Sequence, residues 1–142
     1  MEVIRVTENW QRAAVYWLRI QVFVEGQNIP LEMEFDAHDG DAARYVLIVE
    51  NHRPIATARL YTDDTGAARI GRVGVAAGSR GLGVGRRVIE EAEAWARELG
   101  IRRVVITSQK QAVGFYERLG YTVNPDIVFQ SRIPIVHTEK NL

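Results

Sequence analysis

The chain of 142 residues contains no cysteine. This excludes disulfides, thiolate metal ligands and a cysteine nucleophile together, and it suits a reducing compartment. Long apolar runs are also missing. The longest one free of glycine, Ala13–Leu18, has six residues, against the roughly 20 needed to span a bilayer. The opening MEVIRVTENW carries acids early and lacks an apolar core of signal-peptide length. The expectation is therefore no membrane partner, no leader and a cytoplasmic location. Net charge is absent as well: 18 basic and 18 acidic side chains cancel. That balance argues against nonspecific binding to nucleic acid or anionic membranes, so any basic site has to be local. Internal repeats, low-complexity tracts and linkers are not found either. Hydrophobic residues at 46% and charged residues at 25% are globular values. A chain of this length buries about 68–70% of its unfolded surface without staples, so one domain over residues 1–142 is expected.

What remains is ordered. The stretch EVIRVT alternates as a strand, and Asn9 is a plausible cap for a helix from about Trp10 to Val24. Ala14, Trp17, Leu18 and Gln21 or Val22 would share its apolar face. Periodicity is lost across EGQNIPLEMEFDAHDGDA, an acidic loop with room for a short helical turn. RYVLIVE and RPIATARLY read as a hairpin joined at NHR, and ARIGRVGVAA follows TDDTGA as a third strand. A helix from about Val84 to Leu99 should bury Val88, Ile89, Ala92, Trp95 or Ala96, and Leu99, with Gly100 just past its end. RRVVIT is a short buried strand, QAVGFYERLG a short helix, and the remainder two extended pieces broken by Pro125 and Pro134. This order predicts a mixed sheet with helices on its faces, in the α+β or mixed α/β class. The crossover into RRVVIT should make a parallel pair.

The stretch RVGVAAGSRGLGVGRRVIEE is the chemically telling one. Gly78, Gly81, Gly83 and Gly85 precede or open a helix, where unpaired N–H groups and the helix dipole favour an anion. Arg80, Arg86 and Arg87 add positive charge where helices ordinarily carry acids. A phosphate-bearing ligand accounts for both features. The plain alternative is a surface helix whose arginines pair at i, i+4 with Glu90 and Glu91. The P-loop spacing fails because Gly83 is followed by Val84 and Gly85, with no lysine and no hydroxyl. The dinucleotide fingerprint fails because Arg86 stands where its third glycine belongs.

The segment Arg80-Gly81-Leu82-Gly83-Val84-Gly85 does match R-x-x-G-x-G, following the strand Arg72-Val73-Gly74-Val75. With VVITSQKQAVGFYERLGY behind it and VFVEGQNIPLEMEFD before it, the chain resembles the GNAT (Gcn5-related N-acetyltransferase) superfamily. It is most similar to the ElaA-like branch, and the likeness covers nearly the whole chain. The resemblance implies a mostly antiparallel sheet of six to seven strands flanked by about four helices, with strands splayed at an acyl-CoA site. It implies that Gly81, Leu82, Gly83, Val84, Gly85 and Arg86 wrap the pyrophosphate of CoA, with Arg80 alongside. Val73 and Val75 would offer main-chain hydrogen bonds to the pantetheine arm, with Gly74 between them as a bulge or close approach.

By the same resemblance, acetyl-CoA is a co-substrate and Tyr116 protonates the leaving thiolate. A phenol of pKa about 10 stays protonated at neutral pH. Tyr116 also lies on an apolar helix face and could serve as core. Gln109 matches a polar position that reaches toward the cofactor in relatives, or is simply a side chain near a helix start. With no cysteine and no G-x-S-x-G around Ser79, Ser108 or Ser131, direct attack in a ternary complex is expected over an acyl-enzyme. Glu25, Glu32, Glu34, Asp36 and His38 border the acceptor side, and Glu34 is the acid considered as a base. Glu25, Glu34 and His137 are the substrate-side candidates. Gly26 and Ile135 depart from residues usual in the branch, a glutamate and a histidine.

No metal is expected: Arg44 takes the glycine position of a partial EF-hand pattern at Asp39, Asp41 and Glu50, and no histidines are closely paired. The leading expectation is an enzyme that acylates a small primary amine or peptide amine. The rival is a non-catalytic acyl-CoA-binding regulatory module. A homodimer through the apolar C-terminal strands is compatible with both.

Overall fold

The computed structural model describes the backbone of residues 1–130 and 133–142, and the side chains of 1–124 and 134–142. Ser131, considered above as a nucleophile, lies outside the described residues. The chain runs β1 (Glu2–Arg5), α1 (Asn9–Arg19), α2 (Leu31–Glu34), β2 (Arg44–Glu50), β3 (Arg53–Thr62) and β4 (Ala68–Val75). It continues through α3 (Val84–Glu98), β5 (Arg103–Gln109), α4 (Val113–Arg118), β6 (Thr122–Gln130) and β7 (Ile133–Asn141). Among the described residues the strands form one sheet in the order β1-β2-β3-β4-β5-β7-β6. Among the described strands only β4 and β5 pair in parallel, as the crossover through α3 requires.

Local chemistry explains the joints. The β2–β3 hairpin turns at Asn51 and His52, at φ +50° and +63°, the pair of left-handed residues that a two-residue hairpin turn demands. Helix α3 ends as expected. Gly100 takes φ +80°, and its N–H and that of Ile101 donate to the Arg97 and Ala96 carbonyls at 3.0 Å each, satisfying the helix's last acceptors. Helix α4 closes the same way on Gly120.

Helix α1 differs from the expectation in three respects. Its cap is Glu8 rather than Asn9. Gln11 Oε1 accepts from the Glu8 and Thr7 N–H groups at 3.0 and 2.8 Å, satisfying donors just ahead of the helix. Its buried stripe is Gln11, Val15, Leu18 and Arg19, while Trp10 and Trp17 are half exposed. After Arg19 the helix widens into a π-helical stretch, Ile20–Glu25, a form that concentrates at functional sites. At the other end of the chain, β6 and β7 are longer than the broken pieces expected, and the interruption around Pro125 shrinks to a register shift between Val123 and Ile127.

The main core lies between the sheet and α3. Val46, Ile48, Ala58, Leu60, Ile70, Val104 and Ile106 of the strands meet Val88, Ile89, Ala92 and Ala96 of the helix. Burying each of the large aliphatic side chains stabilises by about 1.5–3 kcal/mol. Trp95 is half buried and Leu99 exposed, so the helix face is narrower than its periodicity suggests. A smaller cluster of Ile4, Val15, Ala43, Tyr45 and Leu47 fixes α1 on the opposite face of the sheet.

Candidate active site

Strands β4 and β5 pair only at Ala68–Val104 and Arg69–Val105. Beyond these they part, because β5 continues along β7 all the way to Gln109 while β4 stays with β3. The β5-facing edge of β4 therefore carries free peptide groups from Ile70 onward. Ala76 N–H donates to the Ile55 carbonyl on β3 at 2.8 Å, so by strand alternation Val75 and Val73 direct theirs into the opening. Gly74 is not the bulge. It pairs with Thr57, whereas the extra residue of β4 falls at Arg72–Val73, between the Arg59–Gly71 and Thr57–Gly74 pairs. Gly74 does meet a close approach: a Cβ there would lie 3.4 Å from the Phe23 ring of the π-helical stretch.

The opening leads into the glycine turn. Gly81 and Gly83 have φ +80° and +77°, which only glycine adopts without strain. Gly83 is the cap of α3 and no side chain caps the helix, so the N–H groups of its first turn are free for a ligand. Arg80, Leu82 and Arg86 are exposed. Arg86 Nε and Arg87 Nη2 donate to Glu90 and Glu91 at 2.7 and 3.1 Å, the i, i+4 pairs of the plain alternative. Exposed pairs of this kind are worth about 0.3–0.5 kcal/mol and yield readily to a multivalent anion.

Val73, Val75, Val84, Phe115 and Tyr116 all belong to or pack on one apolar cluster. Gly85 joins them tightly: a Cβ on it would lie 3.4 Å from Val75 and 3.7 Å from Phe115. Tyr116 is 9% exposed, and burial pushes its phenol up to about 12. Gln109, the last residue of β5, donates to Gln27 Oε1 at 3.4 Å and so ties β5 to the end of the π-helical stretch.

The acceptor-side candidates separate. Glu25 is exposed at the end of the π-helical stretch. His137 on β7 lies beside Thr107, with Nδ1 and Oγ1 3.0 Å apart. Glu34 is not at a solvated rim. It is 2% exposed and accepts from Arg19 Nε at 2.9 Å, with the Arg72 guanidinium at 3.3 Å. Burial raises its carboxyl above the ordinary value, against the pull of these cations.

Glu34 belongs to a closed ionic group that sequence reasoning missed. Arg19 also holds Asp39 at 2.7 Å, Arg59 holds Asp36 at 2.8 Å, and Tyr45 donates to Asp39 at 2.6 Å. Despite burial, Arg59 holds the Asp36 carboxyl, and Arg19 and Tyr45 the Asp39 carboxyl, below their usual value. The signal was an arginine inside each of two apolar runs, WLRI and ATARLY, with three acids spaced at positions 34, 36 and 39. Among the described residues no group of three histidines or carboxylates is arranged to hold a metal.

The sheet thus splits between β4 and β5, with a turn of uncapped amides at the split. The acetyltransferase (GNAT) family model matches residues 8–121, and the chain belongs to that family. A Bacillus subtilis (strain 168) protein named as an acetyltransferase is 31% identical over 140 residues, covering 96% of this chain and 93% of its own. The crystal structure of a Lactobacillus plantarum protein named as an N-acetyltransferase aligns with TM-score 0.93 and 34% identity, covering 99% of this chain and 97% of that one. Escherichia coli ElaA aligns with TM-score 0.85 at 24% identity over 98% of both chains, a likeness of fold.

Proposed function

We propose that the protein is an N-acyltransferase that takes an acyl group, acetyl first of all, from acetyl-CoA and passes it to the primary amine of a small molecule or peptide. One observation carries this reading: the free edge of β4 runs into a turn of uncapped amides, and α4 with Tyr116 packs against that junction. The Gly81–Arg86 amides suit a pyrophosphate, with Arg80 and Arg86 neutralising its charge. The free groups of Val73 and Val75 suit the amide-bearing arm as an added strand.

In this reading the amine nitrogen attacks the thioester carbonyl carbon and a C–N bond forms. An N–H of Val73 or Val75 stabilises the charge on the carbonyl oxygen, as in an oxyanion hole. The C–S bond then breaks, Tyr116 gives its proton to the sulfur, and the surplus proton on nitrogen leaves through the exposed rim where Glu25 stands. Tyr116 recovers its proton from solvent. A phenol raised to about 12 is a weak acid, but a thiolate leaving into the same apolar surroundings is raised from about 8.5 by the same desolvation. Glu34, locked to Arg19, has no part as a mobile base.

Thermal shift tests the donor. Acetyl-CoA at a hundred times its Kd should stabilise by about 2.7 kcal/mol, a shift of several degrees, and ATP should not. Tyr116→Phe should then lower turnover on an amine panel, followed by release of free CoA, about 10²–10⁴-fold with donor affinity kept. Unchanged turnover would remove Tyr116 as the acid. Binding without turnover in the parent protein would leave an acyl-CoA-binding module.

A further inference from the structure

Arg72 stands out within the sheet. Its φ is +49°, and the other non-glycine residues with positive φ among the described residues, Asn28, Asn51 and His52, lie outside the strands. It falls at the bulge, where β3 spends one residue, Ala58, and β4 spends two, Arg72 and Val73. Left-handed backbone disfavours any residue with a Cβ, and Gly71 and Gly74 stand nearby without taking that position. Something holds Arg72 there.

Its guanidinium supplies the hold. Nε donates to the Glu34 carbonyl at 3.1 Å, and Nη2 to Asp36 Oδ2 at 3.1 Å. Neither partner is free to move. Arg19 donates to both the side chain and the carbonyl of Glu34, at 2.9 and 2.8 Å, and Arg59 Nη1 donates to Asp36 at 2.8 Å. The bulge is thus clamped to the loop on the acceptor side, next to the peptide group whose N–H enters the opening.

We infer that Arg72 is a positioning residue for acyl transfer: its clamp on Glu34 and Asp36 sets the left-handed bulge that aims the Val73 N–H at the thioester carbonyl. This rests on the donor reading above and adds a consequence to it. The acceptor-side loop and the donor strand are one mechanical unit, so displacing the loop at Glu34–Asp36 changes carbonyl polarisation without touching the pyrophosphate turn.

The decisive variant is Arg72→Gly, which eases the backbone and removes the clamp together; Asp36→Asn weakens the clamp while leaving Arg72 in place and serves alone if the first does not fold. The expected result has three parts. The Val73 amide resonance moves in ligand-free Asp36→Asn, a change remote from it in sequence, and in Arg72→Gly affinity for CoA itself stays within threefold and kcat on an amine panel falls at least tenfold at nearly constant KM for acetyl-CoA. A kcat within threefold of the parent, an unmoved Val73 amide, or a loss of CoA affinity that matches the loss of rate would each overturn the inference. The amide shifts are read without donor or acceptor. They therefore judge the clamp even if acetyl-CoA fails to stabilise the parent protein, which is the separate failure of the donor reading.

Discussion

Two groups of arginines in this molecule show how little a residue type says before its surroundings are known. Arg86 and Arg87, at the start of α3, are 65% and 45% exposed and are held by single i, i+4 partners. Arg19 and Arg59, beside the loop over residues 34–39, are 0% and 6% exposed, and each holds two carboxylates. The exposed set is cheaply displaced and can grip an incoming anion. The buried set has already met its anions, and its work is to hold the backbone of residues 34–39 against the strands.

That contrast predicts very different costs of removal. Arg19→Met keeps apolar bulk but leaves Glu34 and Asp39 buried without their main cation. Breaking such a group from one side costs about 3–5 kcal/mol, and urea denaturation should show a loss of that size. A loss under 1 kcal/mol would mean that the buried group is wetter than its burial implies.

Acid should weaken the buried group. Asp36 and Asp39 have carboxyls held below their usual 3.8, so the folded state binds their protons later than the unfolded one. Their contribution is complete above about pH 4 and is lost as pH falls below it. Glu34 has the opposite sign. Raised in the folded state, it contributes below its usual 4.5 and ceases to as pH climbs through its folded value, a partial offset. The net expectation is stability that declines from about pH 4 downward, with a shallower slope in Asp39→Asn. Urea midpoints at a series of pH values between 2 and 7 decide it, and parallel slopes in parent and variant would refute the assignment.

The glycine turn was legible in the sequence and the buried ionic group was not, for a physical reason. Gly81, Gly83 and Gly100 announce left-handed backbone locally, and the α3 periodicity spans four turns, so both survive without knowledge of contacts. The ionic group depends on pairs such as Glu34 with Arg72, which are adjacent only once the sheet exists. Read singly, Glu34 and Asp36 look like solvated acids. The widened turn at Ile20–Glu25 left no mark either, because the same residues suit an ordinary α-helix. Helical spacing from Ala14 puts Trp17 with Leu18 on the apolar face, yet the buried stripe through Gln11, Val15 and Leu18 passes it by.

At the glycine turn the expected effects are smaller on stability and larger on binding. Gly83→Ala forces a Cβ into φ +77° with nothing within 4 Å to clash, so strain of about 1–2 kcal/mol is the whole structural cost. Acetyl-CoA affinity should fall with it if the pyrophosphate sits where we propose, because the first-turn amides would tilt away from it.

Arg86→Ala has the smallest effect on the fold and the sharpest use. It removes one exposed pair with Glu90, so denaturant midpoints should give a change within about 0.5 kcal/mol. Donor binding should weaken and become less salt-dependent, since Arg86 would meet the phosphates as one more exposed charge screened over about 10 Å at 0.1 M salt. Calorimetric titration of acetyl-CoA at two salt concentrations reads both quantities. An affinity independent of Arg86 would return that guanidinium to Glu90 alone and leave the anion to Arg80 and the bare amides. A cost above 1 kcal/mol in the free protein would erase the distinction between the two arginine groups, because an exposed pair would then be holding structure as the buried one does.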